Sequence, residues 1–312
     1  MISARVVRNL IAAAACGLAA PAVLASTLYV ANGGGNSVFA YSTSPLSPPN
    51  AFVPSGSGGL VDPAGVAFGP DGNLYVTGGS NINNIGVYRY SGTTGAFMGE
   101  FAATNGYPFS LVFQDGSLFL TDLSHNSVEQ YNASSGAFIG TFVASGSGGL
   151  SGVRDLTFGP DGNLYVSSPG NLSVLRYNGT TGAFMGAFAT GVDARGLRFG
   201  PDGNLYVASF GGNHVLEFNG STGTSMGVFA SGGGLNGPVG LLFGPDGDLY
   251  VSSFNNGEIL RYNGSTGAFI DTIAMGDGLS DPRLMTIPEP GTIALLGVAL
   301  ASLGIGRRKR DL

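Results

Sequence analysis

A single lysine, Lys309, stands among the 312 residues, near the C-terminus. The body of the chain therefore has no Schiff-base lysine, no phosphate-gripping loop lysine and no Ser-Lys dyad. Cysteine is as scarce: Cys16 is alone, inside an N-terminal stretch that reads as a leader. Once that leader is removed, neither disulfides nor thiolate chemistry remain, and an exported protein so built is held by its core and topology. Charge is thin, at 10% of residues against a usual share near ~25%. Between residues 26 and 290 there are 7 basic and 18 acidic residues, a net of −11. Such a body does not wrap nucleic acid, which needs Lys and Arg in numbers.

Glycine is what the chain has in abundance, 55 residues, without the every-third-residue period of collagen. With 43% hydrophobic residues a core is available, so the composition points to an all-β chain with many tight turns. At the N-terminus, Arg5 and Arg8 precede an apolar run from Leu10 to Leu24. Val23-Leu24-Ala25 suits cleavage after Ala25, so residues 1–25 are expected to be a signal peptide. The other reading is a lipoprotein signal acylated at Cys16, after Ala13-Ala14-Ala15.

The body is a repeat. F-G-P-D-G-N-L-Y-V begins at Phe68, Phe158 and Phe199, F-G-P-D-G-D-L-Y-V at Phe243, and a degenerate copy at Phe113. Thr27-Leu28-Tyr29-Val30 carries only the tail of the unit. Counted on the Leu of L-Y-V, the copies fall at Leu28, Leu74, Leu118, Leu164, Leu205 and Leu249, 41 to 46 residues apart. Each unit reads as four short strands, A to D. Asp-Gly supplies the A–B hairpin, because both residues tolerate positive φ. Turns such as Asn178-Gly-Thr-Thr-Gly182 join C to D. Four-stranded units of this length suit propeller blades, so an all-β, six-bladed β-propeller is expected over residues 26–287. The first unit lacks a strand A; Asp281 to Ile287 is placed to supply it and close the ring, removing the free sheet edges. An open solenoid is the alternative architecture.

G-x-x-F-G-P-D-G-N-L-Y-V followed by an S-N-N-x-V-x-R-Y type strand resembles the NHL-repeat propellers. It is similar, more broadly, to the group holding gluconolactonase-like and streptogramin-lyase-like proteins. The resemblance covers residues 27–287 and implies a fold rather than an activity, since these propellers include enzymes, scaffolds and binders. Gluconolactonase-like enzymes hold a divalent metal at the channel with a Glu, an Asp and an Asn. Here Glu100, Glu129, Glu217 and Glu258 fall on outer strands or a loop and none on strand A, so no cofactor, metal site or catalytic residue is assigned.

The last residues, 288–312, read as an address. Pro288-Glu289-Pro290 is followed by a 15-residue apolar segment, Thr292 to Gly306, and by Arg307-Arg308-Lys309-Arg310. The apolar run is short of the ~20 residues that usually span a bilayer, and an ordinary C-terminal anchor is the plain alternative. The three parts in this order resemble the PEP-CTERM sorting signal. That resemblance implies an exosortase-type processing protease as partner, a transient membrane anchor, and export across the inner membrane of a Gram-negative bacterium to the envelope, surface or exterior.

Propeller geometry puts the A–B and C–D turns on one face, where they are nearly identical from copy to copy. Turn geometry accounts for Asp71, Asp161, Asp202 and Asp246 there. The B–C and D–A loops share the other face and vary, as a binding face does. Two positions before the first apolar residue of strand A stand Arg154, Arg195 and Arg283; four positions before it stand Asp62, Asp193 and Asp281. These six are expected at the channel mouth, with His125 of the B–C loop as a further candidate. Asp193 with Arg195, and Asp281 with Arg283, are spaced to pair along their own strands. Ser55 to Leu60 and Ser145 to Leu150 mimic phosphate loops but recur two blades apart with no lysine, and read as inter-blade loops. Tyr and Phe of the variable face have the chemistry to stack on sugar rings, although most are expected in the core. The expected function is an exported binding or scaffold protein of the envelope or matrix, with an acidic polysaccharide or an envelope protein as ligand. The competing class is a lyase- or lactonase-type enzyme.

Overall fold

The computed structural model describes residues 27–42, 50–79 and 85–288. They form six four-stranded antiparallel sheets arranged as propeller blades. Blade 1 contains β1 (Thr27–Asn32), β2 (Ser37–Ser42) and β3 (Asn50–Val53). Blade 2 contains β4 (Val66–Phe68), β5 (Leu74–Gly78), β6 (Gly86–Tyr90) and β7 (Phe97–Ala103). Blade 3 runs through β8 (Pro108–Gln114), β9 (Ser117–Asp122), β10 (Ser127–Asn132) and β11 (Phe138–Val143). Blade 4 holds β12 (Leu156–Phe158), β13 (Leu164–Ser168), β14 (Ser173–Tyr177) and β15 (Phe184–Thr190). Blade 5 holds β16 (Ala194–Phe199), β17 (Leu205–Ser209), β18 (His214–Phe218) and β19 (Ser225–Ser231). Blade 6 comprises β20 (Pro238–Phe243), β21 (Leu249–Ser253), β22 (Glu258–Tyr262) and β23 (Phe269–Met275). The last strand, β24 (Pro282–Thr286), returns to blade 1 and pairs antiparallel with β1, Val30 opposite Met285, closing the ring.

The repeat explains its own geometry. In G-P-D-G, the Asp71 carboxylate accepts from the Asn73 amide (3.1 Å) and from the Tyr75 hydroxyl (3.0 Å), fastening the turn to the strand it starts. Asp161, Asp202 and Asp246 make the same two bonds to their own turns and tyrosines. The Tyr of L-Y-V packs edge-on between its own blade's outer strand and the next blade's inner one. Tyr75 meets Phe101 at 4.8 Å and Phe113 at 4.9 Å; Tyr165 and Tyr206 repeat the arrangement. The core thus lies in the seams between blades. At the closing seam aliphatic residues replace the phenylalanines: Tyr250 shares its cluster with Ile273, Met285 and Ile287.

Near the axis, buried hydroxyls of the second strands hold the inner strands. Thr77 accepts from the Gly65 amide (2.6 Å), Thr121 from Ser110 (2.9 Å), Ser167 from Asp155 (2.7 Å) and Ser252 from Gly240 (2.6 Å). The residue before each held amide, including Phe109, Arg154 and Val239, is thereby set at the channel mouth. Glycine is required where inner strands converge: a Cβ on Gly196 would overlap the Val239 carbonyl. Among the described residues no helix is long and apolar enough to cross a membrane. Residues 1–25, the Glu289-Pro290 part of the tripeptide and the apolar tail lie outside the described residues.

Candidate functional site

A cavity of about 230 Å³ opens at the channel mouth, lined by Arg154, Arg195 and Arg283 with Asp62, Tyr107, Phe109, Phe210, Val239 and Phe254. The three arginines converge, as their shared repeat position implies, but their surroundings differ. Arg283 pairs with Asp62, donates to the Tyr107 hydroxyl at 2.7 Å, and lies 5.8 Å from the Phe109 ring centre. Tyr107 in turn donates to Asp62 at 2.9 Å, and burial pushes its hydroxyl pKa up to about 12. Arg195 Nε donates to Asp193 at 3.2 Å while its guanidinium covers the Phe210 ring at 4.7 Å. Arg154 lies over Phe109 at 5.0 Å, pairs with no carboxylate among the described residues, and its buried Nε has no hydrogen-bond partner. Burial, then the neighbouring charge of Arg195, holds the Arg154 guanidinium below its ordinary pKa. Its charge thus has no direct carboxylate partner, in a mouth walled by aromatic rings.

Two expectations need correcting. Asp281 does not pair with Arg283, whose partner is Asp62 from the neighbouring blade. The cause is backbone: Asp62 and Asp281 occupy a left-handed turn position (φ 48° and 53°) that Gly152 and Gly237 fill in two other blades. The turn carries Asp281 toward the β1–β2 loop, where its carbonyl accepts from Gly33. His125 is likewise apart from the mouth. Its Nδ1 is bonded to Asp122 at 2.7 Å, which aims the ring into a separate cavity of about 370 Å³ on blade 3.

Three residues of the channel escaped the sequence reading. Phe210 and Phe254 follow L-Y-V by three residues and form the apolar wall, 6.0 Å apart between ring centres. Asp155 lies deeper, buried, accepting from Ser110 Oγ (2.6 Å), the Leu197 amide (2.8 Å) and the Leu156 amide (2.9 Å). It ties three blades together, and burial pushes its carboxyl pKa up. The available signal was a charged residue at a repeat position otherwise held by Gly65, Ser110, Gly196, Gly240 and Leu284. Among the described residues no group of three or more His, Cys, Asp or Glu side chains is disposed to hold a metal.

Comparison places the ring among known propellers. A chain from a crystal structure of a nidogen/laminin complex superposes with a TM-score of 0.70 at 16% identity, over 85% of this chain and 98% of that one. Virginiamycin B lyase from Staphylococcus aureus gives 0.55 at 16%, over 71% and 73%. The WD40 β-propeller domain of Doa1 gives 0.58 at 14%, over 81% and 80%. These likenesses are of fold alone. No curated protein matches the sequence. Residues 286–310 match the PEP-CTERM protein-sorting motif. The chain is therefore a six-bladed β-propeller with a C-terminal sorting signal, which implies export through the inner membrane of a Gram-negative bacterium, exosortase-type processing and a surface location. The match begins at Thr286, the last residue of β24, so cleavage at or beyond the tripeptide leaves the closing strand in place.

Proposed function

We propose that the protein is an exported binding protein of the envelope or extracellular matrix, and that its channel mouth takes a carboxylate-bearing ligand. Arg154 carries this reading: a guanidinium among aromatic rings, without a carboxylate, beside two arginines that have theirs. Arginine's planar fork suits a carboxylate, and the rings suit the apolar face of a sugar such as a uronic acid. The leader, residues 1–25, and the tail beyond Pro290 are absent from the mature form in this reading. Glu289→Ala leaves the fold unchanged and blocks maturation, seen as retained tail residues by mass spectrometry.

Titration calorimetry with trigalacturonic acid tests the site. Arg154→Gln and Arg195→Ala each weaken binding by about 1.5–3 kcal/mol, the range for a hydrogen bond to a charged group, and added salt weakens it further. Binding indifferent to both substitutions and to salt removes the proposal. Turnover of lactones that needs the mouth residues would favour the enzyme class instead.

A further inference from the structure

The cavity on blade 3 is lined by Ala103, Asn105, Asp122, His125, Glu129, Tyr131, Phe138 and Thr141. It exists because one loop is short. Between equivalent points of the outer strand and the next inner strand, Val53 to Gly65 and Val143 to Asp155 are 12 residues apart, Ala102 to Ser110 only 8 and Ala189 to Gly196 only 7. In the long loops a short 3-10 turn, Ser57–Gly59 or Ser147–Gly149, covers the end of strand C. There the Tyr90 and Tyr177 hydroxyls each donate to a loop carbonyl at 2.8 Å, and Tyr262 finds one at 2.9 Å. The rings of Phe97, Phe184 and Phe269 lie on Gly58, Gly148 and Gly233 so closely that a Cβ would overlap them.

The two blades with short loops answer differently. Blade 5 drops both groups, placing Phe218 where the tyrosine stands and Ser225 where the phenylalanine stands. Blade 3 keeps both. Tyr131 is only 4% exposed as a residue, but its hydroxyl is bonded to no described residue and is open to the pocket rather than buried. Phe138 is 59% exposed, against 43% for Phe97 and Phe184, and meets Tyr131 at 5.3 Å between ring centres. Blade 5 shows that the repeat folds without either group, so blade 3 presents at its surface a phenol and a phenyl ring that the other blades cover or omit.

We propose that this pocket is a second ligand site, built to take an uncharged pyranose ring. Phe138 offers a flat apolar face at the rim for stacking. Glu129, held by Ser127 Oγ (2.6 Å) and Thr141 Oγ1 (2.8 Å), has lone pairs left to accept from sugar hydroxyls. Tyr131 can donate or accept, and Asn105 and His125 stand at the edge. The carboxylates repel a uronate. A cation is poorly served as well, because Asp122 is already engaged by the His125 ring and by the Ser124 and His125 amides. The volume, about 370 Å³, falls in the range of small-molecule sites, roughly 300–1,000 Å³.

The test uses the purified protein with cellohexaose, laminarihexaose, maltohexaose and chitohexaose, read by saturation-transfer NMR and calorimetry. At least one binds, with saturation strongest on ring protons of a single sugar residue, and trigalacturonic acid, the probe for the channel mouth, does not compete. Phe138→Ser weakens binding tenfold or more and Tyr131→Phe about 3- to 10-fold, both being states that blade 5 already adopts. Replacing residues 104 and 105 by the Ser145–Leu150 segment restores the four missing residues, roofs the pocket and abolishes binding while the protein stays folded by circular dichroism. Binding by none of the four sugars, binding that survives Phe138→Ser and the roofed loop, or a preference for hexalysine or trigalacturonic acid at this pocket overturns the proposal.

Discussion

Met285→Ala tests how much of the propeller rests on one short strand. Met285 is 2% exposed and sits in the closing seam with Leu28, Val30, Tyr250 and Ile273, residues from the two extremes of the ring. Truncating a buried Met to Ala costs about 2–5 kcal/mol, through lost transfer free energy and the cavity left behind. A loss near ~3 kcal/mol corresponds to a fall in Tm of roughly 6–12 °C, using about 2–4 °C per kcal/mol for a domain of this size. The matched control is Leu241→Ala, at the equivalent position of blade 6 and 3% exposed. If closure makes the ring one cooperative unit, both variants lose similar stability in urea and each melts in a single calorimetric transition. Removing β24 altogether bares the β1 edge and should produce aggregation. A loss under about 1 kcal/mol for Met285→Ala beside a full loss for Leu241→Ala would refute the reasoning. So would a wild-type melt in which blade 1 unfolds first.

Two further outcomes follow from single bonds. Tyr90→Phe or Tyr177→Phe removes a buried hydrogen bond to a loop carbonyl and should cost about 1 kcal/mol in urea denaturation, whereas Tyr131→Phe should be neutral or stabilising. The hydrogen bond to Asp122, and then its charge, raises the His125 pKa, so NMR titration should give a midpoint above the ordinary histidine value of about 6.5 that Asp122→Asn lowers. The raised value means that the native state favours the protonated ring. Its contribution to stability is fully present below pH ~6.5 and is lost as the pH rises through the folded-state value. The side chain is more than half exposed, so the effect is small.

The repeat made the fold legible in one dimension. Six copies of the unit, five L-Y-V and one L-F-L, count six blades because each unit contains its own hairpins and its own share of the seams, and four of them also their own Asp–Tyr bond. The closing strand was legible too, as a strand A left over beside a unit lacking one. Repeat position also brought Arg154, Arg195 and Arg283 to one mouth, since equivalent positions in a ring face the same axis. Relations between blades were not contained in that pattern. Arg283 reaches Asp62 across a seam, because the left-handed turn at Asp281 carries the local carboxylate away. Arg154 is left without a partner, and Asp155 joins three blades, through distances that no spacing encodes. The blade 3 pocket is an absence: a loop four residues short leaves a tyrosine and a phenylalanine uncovered, and uncovered space becomes visible only when the chain is folded. Local periodicity determined the blades, their number and their closure. Contacts between residues far apart in sequence decided which charges are compensated and where the surface is hollow.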